Sequence, residues 1–468
     1  MSQLDDFLEE HHDEFEADLC EFLRIPSIST DSKYTGEVQK AGQWVADQFR
    51  ALNFKIEVIE TDGHPIIYAE SPAVEGAPTV LVYGHYDVQP PDPMDEWISP
   101  PFEPTKRDGN IYARGATDDK GQMLTHIKSA QAWIESRGKL PLQIKYLIEG
   151  EEEVGSDSLY AFLDKQADGH GKSTLDRLAC DIVVISDTSQ FAPGQPAITY
   201  GLKGIAYFEL LLTGPRQDLH SGSFGGAVTN PVNKLALMLA ALINDKGKIQ
   251  IPGFYDNVKS LADREREQFS SLPFDESTFM QQIGVNGLTG EEGYTTLERC
   301  WARPTFDVNG IWGGYQGEGE KTVLPARAGA KFSFRLVPDQ DPKKIRASLR
   351  TMLEAMCPPG IKMELIDRHG APGVVVPLDS PYMTAAVQAI ERGFGRSPVF
   401  IREGGSIPVV TVFREKLGVD TLLLGWGLND DNTHSPNEKF CLADFHRGIK
   451  SSAYLWHELS KVQVKNDK

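Results

Sequence analysis

The chain has few cysteines, and they form no closely spaced pair. Five cysteines occur among 468 residues, an odd number spread over most of the sequence. This spacing excludes a C-x-x-C redox or metal motif and gives no sign of a disulfide framework. It is typical of a reduced, intracellular protein. The five positions are Cys20, Cys180, Cys300, Cys357 and Cys441.

Long hydrophobic runs are missing as well. The longest apolar stretch extends from Leu235 to Ile243, whereas a membrane-spanning helix needs roughly 20 apolar residues. The opening segment is acidic and interrupted by charges, so it lacks the basic and apolar regions of a secretory signal peptide. We therefore expect a soluble protein with a cytoplasmic location.

Positive charge is in deficit. Lysine and arginine together number 47, against 67 aspartates and glutamates, which gives a formal net charge of -20. A surface with this balance repels phosphate backbones and anionic lipid headgroups. We therefore expect neither a nucleic-acid partner nor a membrane partner.

The sequence does contain the pattern of an α/β protein. Its 40% hydrophobic and 24% charged residues are those of a globular chain, and its length suits two domains. Short apolar runs typical of buried strands alternate with helical patterns, starting with an amphipathic helix at the N-terminus. The predicted strands are 79–83, 142–148, 182–185 and 421–424, and the later helices begin at Asp119, near Ser380 and at Leu442.

A different rhythm in the middle of the chain predicts an inserted domain. Residues 205–212 and 330–336 have strand patterns, and apolar residues between Val232 and Leu242 keep helical spacing. Two helices on a short sheet form a small α+β domain. The predicted division is 1–199 and 377–468 for the α/β domain and 200–376 for the insertion.

Side chains that commonly bind metals stand at five positions where strands or loops of the α/β domain should end. Ligands in open α/β sheets bind at such places. Each group has an ordinary structural alternative: a histidine can serve the core, an aspartate can cap a helix, and an acidic loop can be solvated. Together, nitrogen and oxygen donors without a thiolate suit zinc, manganese or cobalt. The groups are His85 with Asp87, Asp118 with Asp119, Glu149 with Glu151 to Glu153, Asp187, and His434 with Glu438.

The motifs around these residues resemble one known family. In chain order they read HYDVQP, GATDDKGQ, EGEEEVGS, SDTS, DLHSG and NTHSPNE. They are similar to the carnosinase-type dipeptidases, members of a large family of peptidases and deacylases that use two zinc ions. The resemblance extends from about Phe22 to His457. It implies a phosphorylase/hydrolase-like α/β catalytic domain, with a mixed central sheet flanked by helices, and an inserted smaller α+β lid and dimerisation domain.

The resemblance also implies the roles of the metal-binding groups. Asp118 would bridge two divalent ions, one also bound by His85 and Asp187 and the other by Glu153 and His434. Zinc is the first expectation for both ions, with manganese or cobalt as alternatives. The remaining implied roles are Glu152 as general base, Asp87 orienting His85, and a cis peptide between Asp118 and Asp119.

The inserted domain would supply substrate contacts. Alternation along 330–336 places Arg335 on the face opposite Phe332 and Phe334; the ordinary reading of that face is a solvated one. By resemblance, Arg335 binds the C-terminal carboxylate of a small peptide substrate, a task that suits a guanidinium group. The further implied substrate contacts are Thr322, Gly405, Ser406, and His220, the last reaching the active site of the other subunit of a homodimer.

These expectations lead to one function and two alternatives. The first is metal-dependent hydrolysis of dipeptides or short peptides with a free carboxylate, and aspartate at position 187 matches dipeptidases better than carboxypeptidases of the family. An N-acyl-amino-acid deacylase or desuccinylase on the same fold is the second. A non-catalytic binding or scaffold protein is the third, and the presence of all five ligands and the base argues against it.

Overall fold

The structure, a computed structural model, describes residues 1–165 and 173–463. The helices are α1 Ser2–Glu10, α2 His12–Leu23, α3 Thr35–Ala51, α4 Lys120–Arg137, α5 Asp157–Leu163, α6 Thr174–Leu178, α7 Ser221–Phe224, α8 Pro231–Ala240, α9 Asp263–Ser270, α10 Glu276–Ile283, α11 Thr296–Ala302, α12 Pro342–Met356, α13 Pro381–Phe394, α14 Pro408–Leu417 and α15 Leu442–Leu459. The strands are β1 Lys55–Ile59, β2 Ile66–Glu70, β3 Thr79–His85, β4 Thr105–Arg107, β5 Asn110–Tyr112, β6 Gln143–Glu149, β7 Ile182–Ile185, β8 Ala197–Leu202, β9 Gly204–Thr213, β10 Leu219–His220, β11 Thr305–Gly313, β12 Val323–Leu324, β13 Arg327–Leu336, β14 Lys362–Ala371, β15 Val374–Val375, β16 Val399–Glu403, β17 Thr421–Gly425 and β18 Lys439–Cys441.

The chain forms two compact units. The first contains Met1–Tyr200, Val376–Ile401 and Val412–Lys468, and the second contains Gly201–Val375 and Arg402–Thr411. The short segment 402–411 therefore packs with the second unit, whereas the sequence analysis assigned it to the α/β domain. Its few residues carry no pattern that distinguishes one unit from the other, so only tertiary contacts could assign it.

A mixed sheet runs through the first unit, in the order β1-β2-β6-β3-β7-β17-β8. Neighbours β6, β3, β7 and β17 are parallel, while β1, β2 and β8 pair antiparallel. The parallel strands lie in the middle because their apolar runs can be buried on both faces; all four residues of β7 are buried. The mixed, helix-flanked sheet confirms the predicted fold class.

Helix α4 packs against β3 of this sheet, and α15 packs against α4. Residues along almost the whole length of α4 are buried, including the predicted face at Met123 and Ile127. Trp133 of α4 donates a hydrogen bond to the carbonyl of Ala453 in α15, at 2.7 Å. The N-terminal helix predicted from the sequence is two helices, α1 and α2, that meet at His11.

The second unit contains an antiparallel sheet in the order β11-β13-β9-β14. Its core joins one face of this sheet to helices α8 and α12, and Phe332, Phe334 and Leu336 of β13 are fully buried there. Arg335 lies between them in sequence and is only partly buried, as the alternation of the strand predicts. The predicted lid and dimerisation roles of this unit stay predictions.

Within the described ranges, no helix combines the length and the apolar character needed to cross a bilayer. The expected cytoplasmic location stays a prediction.

Candidate metal centre

Three parallel strands deliver the first side chains of the centre to one edge of the sheet. His85 is the last residue of β3 and pairs in register with Glu149, the last residue of β6. Asp187 follows the end of β7 by two residues. Because β3, β6 and β7 are parallel neighbours, whatever follows them meets at the same edge.

Two groups of three residues bring their nitrogen and oxygen atoms within 4.8 Å of one another, and Asp118 belongs to both. Its Oδ1 lies 3.2 Å from Nε2 of His85, and its Oδ2 lies 2.9 Å from Nε2 of His434. One carboxylate therefore faces two imidazoles with different oxygens. The two groups are His85, Asp118 and Asp187, and Asp118, Glu153 and His434.

Buried polar atoms in this cluster fit a bound cation. In residues 1–165 and 173–463, Nε2 of His85 and Oε1 of Glu153 are buried without a hydrogen-bond partner; Oδ1 of Asp118 lies 3.2 Å from this Nε2 but not in hydrogen-bond geometry. A buried polar atom left in this way is costly, unless it binds a ligand. The donors are imidazole nitrogens and carboxylate oxygens, a set that divalent zinc, manganese and cobalt accept.

The electrostatics of the cluster also fit bound cations. Burial raises the pKa of Glu152 to about 7, and the nearby carboxylates of Glu153 and Asp118 act in the same direction, against the lowering effect of His85. Burial likewise raises the pKa of Asp187 far above its ordinary value. Hydrogen bonds to Asp118 and Glu153 raise the pKa of His434 to about 10. Carboxylates crowded in a buried place are stable as anions only beside cations.

A second layer of contacts fixes the orientation of these side chains. Nδ1 of His85 lies 3.1 Å from the carbonyl oxygen and 3.3 Å from Oδ1 of Asp87, which is fully buried. Gln89 donates a hydrogen bond from Nε2 to Oε2 of Glu153, at 2.7 Å. The sequence analysis quoted Gln89 within the HYDVQP motif but gave it no role, because an isolated glutamine carries no metal-ligand signal.

The backbone at two of the candidate ligands has unusual geometry. The peptide between Asp118 and Asp119 is cis, which confirms the expectation from the resemblance. His434 has a φ of 59°, in the left-handed region that residues with a side chain seldom adopt. A positive φ at a residue such as His434 persists where the surrounding structure holds it, and functional sites are enriched in such residues.

The predicted substrate contacts all lie in the second unit. Arg335 donates from Nη1 to Oγ of Ser406 at 3.1 Å, and Ser406 donates to the carbonyl of Lys203 at 2.5 Å. Burial lowers the pKa of Arg335, which forms no ion pair with any residue in the described part of the chain. Its remaining guanidinium donors are therefore available to an anion.

Two further predicted residues, His220 and Thr322, lie together in the second unit. β10 and β12 pair antiparallel, with His220 opposite Val323. The amide of Ser221 donates to the carbonyl of Thr322 at 3.1 Å. The His220 imidazole is exposed and accepts, through Nδ1, a hydrogen bond from the amide of Gly222 at 3.0 Å.

Comparison with known proteins gives consistent matches along the chain. Residues 81–458 match the model of peptidase family M20/M25/M40. A Cys-Gly metallodipeptidase of Schizosaccharomyces pombe is 32% identical, covering 99% of both chains. A human Beta-Ala-His dipeptidase is 32% identical, covering 97% of this chain and 92% of the relative.

Among solved structures, a metallo-carboxypeptidase of Sulfolobus solfataricus superposes with a TM-score of 0.86. It is 32% identical, and the match covers 96% of this chain and 100% of that one. Fold, cluster and sequence therefore agree, and the chain belongs to peptidase family M20/M25/M40.

Proposed function

We propose that this protein hydrolyses dipeptides, or short peptides with a free C-terminal carboxylate, in a metal-dependent reaction. The observation that carries the proposal is the pair of ligand groups sharing Asp118, beside the buried carboxyl group of Glu152. Relatives of similar length that are named as dipeptidases support this substrate class.

Two divalent ions per subunit fit the donor set. Asp118 would be shared between them; zinc is the first candidate, and manganese or cobalt are alternatives. When bound, such ions polarise the scissile carbonyl and make water more acidic at neutral pH. The first ion would be held by His85 and Asp187, the second by Glu153 and His434.

Glu152 would move the proton. A carboxylate near the site can accept a proton from the attacking water and return it to the nitrogen of the leaving amine. Its position supports this role, because Glu152 adjoins the candidate ligand Glu153 in sequence and interacts electrostatically with His85 and Asp118. Asp87 would keep His85 oriented through Nδ1, so that Nε2 presents its lone pair to the ion.

Arg335 would bind the carboxylate of the substrate. A guanidinium group can donate two parallel hydrogen bonds to a carboxylate. Among the described residues Arg335 donates one side-chain hydrogen bond, to Ser406, which leaves donors for them. Gly405 adjoins Ser406 in the same segment, and Thr322 would complete this subsite.

The active form would be a homodimer in which His220 serves the partner's site as a donor to the oxyanion. The exposure of His220 supports a role outside its own unit. Self-association is supported by β11, an edge strand of the second unit with Val308 and Ile311 exposed at 42% and 57%. Exposed edges with apolar side chains readily pair with another chain.

A substrate panel tests the proposal. Chelator-stripped protein is assayed with zinc, manganese or cobalt added back, on free dipeptides, tripeptides, and N-acetyl and N-succinyl amino acids. We expect metal-dependent cleavage of dipeptides. Cleavage of only the acylated compounds would assign the protein to the deacylases, and release of C-terminal residues from tripeptides alone would indicate a carboxypeptidase. No turnover with two ions bound would favour a binding protein.

A further inference from the structure

A buried ion pair next to the metal centre has no part in the chemistry described so far. Nη1 of Arg114 lies 2.8 Å from Oε2 of Glu438, and their side chains are 1% and 0% exposed. Two charges taken out of water are poorly compensated by each other alone. Further hydrogen bonds are therefore expected around such a pair, and their targets show what the pair holds.

Glu438 accepts four hydrogen bonds, and three of them come from the backbone that leads to Asp118. Oε2 accepts from Arg114 and from the amide of Gly115 at 2.9 Å. Oε1 accepts from the amides of Thr117 and Asp118, at 3.0 and 3.1 Å. Three amides of the turn that ends at Asp118 thus donate hydrogen bonds to one buried side chain, that of Glu438.

The same pair connects the other loops of the centre. Nη2 of Arg114 donates to the carbonyl of Pro90 at 3.2 Å, one residue after the Gln89 side chain that contacts Glu153. Glu438 itself closes the loop that carries His434, and its carbonyl accepts from the amide of Ala113 at 3.1 Å. Loops from three distant parts of the sequence therefore meet at this ion pair.

We propose that Glu438, held by Arg114, is a positioning residue that fixes the Asp118 carboxylate between His85 and His434. The inference rests on the proposed function, because it assigns Asp118 to two ions. A carboxylate that must serve two ions with separate oxygens tolerates little movement of its backbone, since metal ligands need distances correct within about 0.2 Å. Four bonds to one rigid, buried acceptor supply that restraint.

The chemistry of the contact explains why a carboxylate is needed. Each oxygen of Glu438 accepts two hydrogen bonds, and none of its partners is an acceptor. In Glu438→Gln, one of these oxygens becomes an NH₂ group that faces N–H donors, so two of the four bonds are lost. The size of the side chain hardly changes, which separates loss of acceptors from loss of packing.

The experiment compares Glu438→Gln with the same substitution in another buried ion pair, which is remote from the metal ligands in sequence. Arg303 and Glu291 form a bidentate pair in the second unit, 6% and 10% exposed, and Glu291→Gln is the control. Affinity for Co²⁺ is measured by competition with a chromophoric chelator, and the cobalt absorption spectrum reports the ligand geometry. We expect about 10–100-fold weaker binding and an altered spectrum in Glu438→Gln. Glu291→Gln should lower the melting temperature without changing either readout.

Unchanged cobalt affinity and spectrum in folded Glu438→Gln would overturn the positioning role. Should that variant not fold, Glu438→Asp replaces it: aspartate keeps the negative charge beside Arg114, but its shorter side chain cannot reach the amides of Thr117 and Asp118 as well. Unchanged cobalt binding in Glu438→Asp would equally overturn the proposal. A parent protein that binds no divalent ion would overturn both the proposed function and this inference. A parent that binds ions and cleaves dipeptides, with variants of unaltered affinity, would overturn the inference alone.

Discussion

The two units of the molecule differ in the charge of their candidate site residues. In the first unit, the half-buried carboxylates of Asp118, Glu153 and Asp187 come together at the end of a parallel sheet. In the second unit, Arg335 lies half-buried on the face of an antiparallel sheet, without a carboxylate partner in the described residues. Each unit therefore suits a different ligand: divalent cations for the first, an anion for the second.

This difference in charge suits the first unit to the proposed reaction and the second unit to recognition of the substrate. In the first unit, the carboxyl group of Glu152 lies among the candidate metal ligands, a position that suits proton transfer. Arg335 stays a cation under all ordinary conditions. This permanent charge suits binding of a carboxylate but not proton transfer. Variants in the first unit should therefore lower kcat, and variants around Arg335 should mainly raise KM.

The largest effect is expected from Glu152, the proposed proton-transfer residue. Glu152→Ala should lower kcat by about 10³-fold, because general acid–base catalysis contributes roughly 10²–10⁴-fold. Both ions should remain bound, since Glu152 belongs to neither ligand group. Steady-state kinetics and elemental analysis of the purified variant measure the two quantities.

Glu151→Gln is the matched control for Glu152→Ala. The Glu151 carboxylate accepts from the amides of His64 and Ser158, at 2.6 and 3.0 Å, and faces the backbone. This variant should keep its turnover. Loss of metal in Glu152→Ala would contradict the assigned role and make the residue a ligand.

The next effect tests whether the second unit serves its own subunit. His220→Ala and Glu152→Ala proteins should each be nearly inactive. A purified heterodimer of the two should recover about half of the parent activity, because one of its two sites then contains both groups. Differently tagged chains, co-expressed and purified through both tags, provide the heterodimer. A verified heterodimer without activity would mean that His220 acts within its own chain or not at all.

A smaller effect is expected for Arg335. Arg335→Ala should lower kcat/KM for free dipeptides by about 10–100-fold, since hydrogen bonds to a charged group are worth roughly 1.5–3 kcal/mol. Hydrolysis of a C-terminally amidated dipeptide should change far less. Lys331→Ala, an exposed residue on the same face of β13, is the control. Equal damage to both substrates would remove Arg335 from carboxylate recognition.

The smallest effect concerns stability against pH. Burial lowers the pKa of His126 in α4 to about 3 from an ordinary value of 6.5, and its Nε2 lies 2.8 Å from Oγ of Ser186, next to Asp187. Below pH 6.5 the His126 imidazole takes up a proton in the unfolded chain but stays neutral in the folded protein. The free energy of unfolding should therefore fall, by up to about 1.4 kcal/mol per pH unit, as the pH decreases from 6.5 towards 3.

Urea unfolding at pH 7 and pH 5 measures this difference. His126→Gln should flatten the dependence on pH. In the second unit, burial lowers the pKa of the more exposed His369, so His369→Gln should flatten it less. Equal slopes in the parent and His126→Gln would show that His126 is accessible to protons in the folded state.

Much of the fold could be predicted from the sequence because its strongest patterns are local. The run 182–185 is a strand at those bounds, and the helix predicted from Leu442 begins there. Sequence patterns do not reveal a break or a change of unit where the amino-acid composition stays the same on both sides. The break at His11 between α1 and α2, and the packing of 402–411 with the second unit, were therefore missed.

The sequence by itself determined which residue types are available to the centre and the order in which they follow strands. Only the tertiary structure decided that the two carboxylate oxygens of Asp118 lie 3.2 and 2.9 Å from Nε2 of His85 and Nε2 of His434. The three residues come from distant segments of the sequence. It alone revealed Arg114 with Glu438 and the contact of Gln89 with Glu153. A side chain that acts by accepting hydrogen bonds from backbone amides cannot be recognised by a fixed spacing in the sequence, because the path of the folded chain decides which amides lie near it.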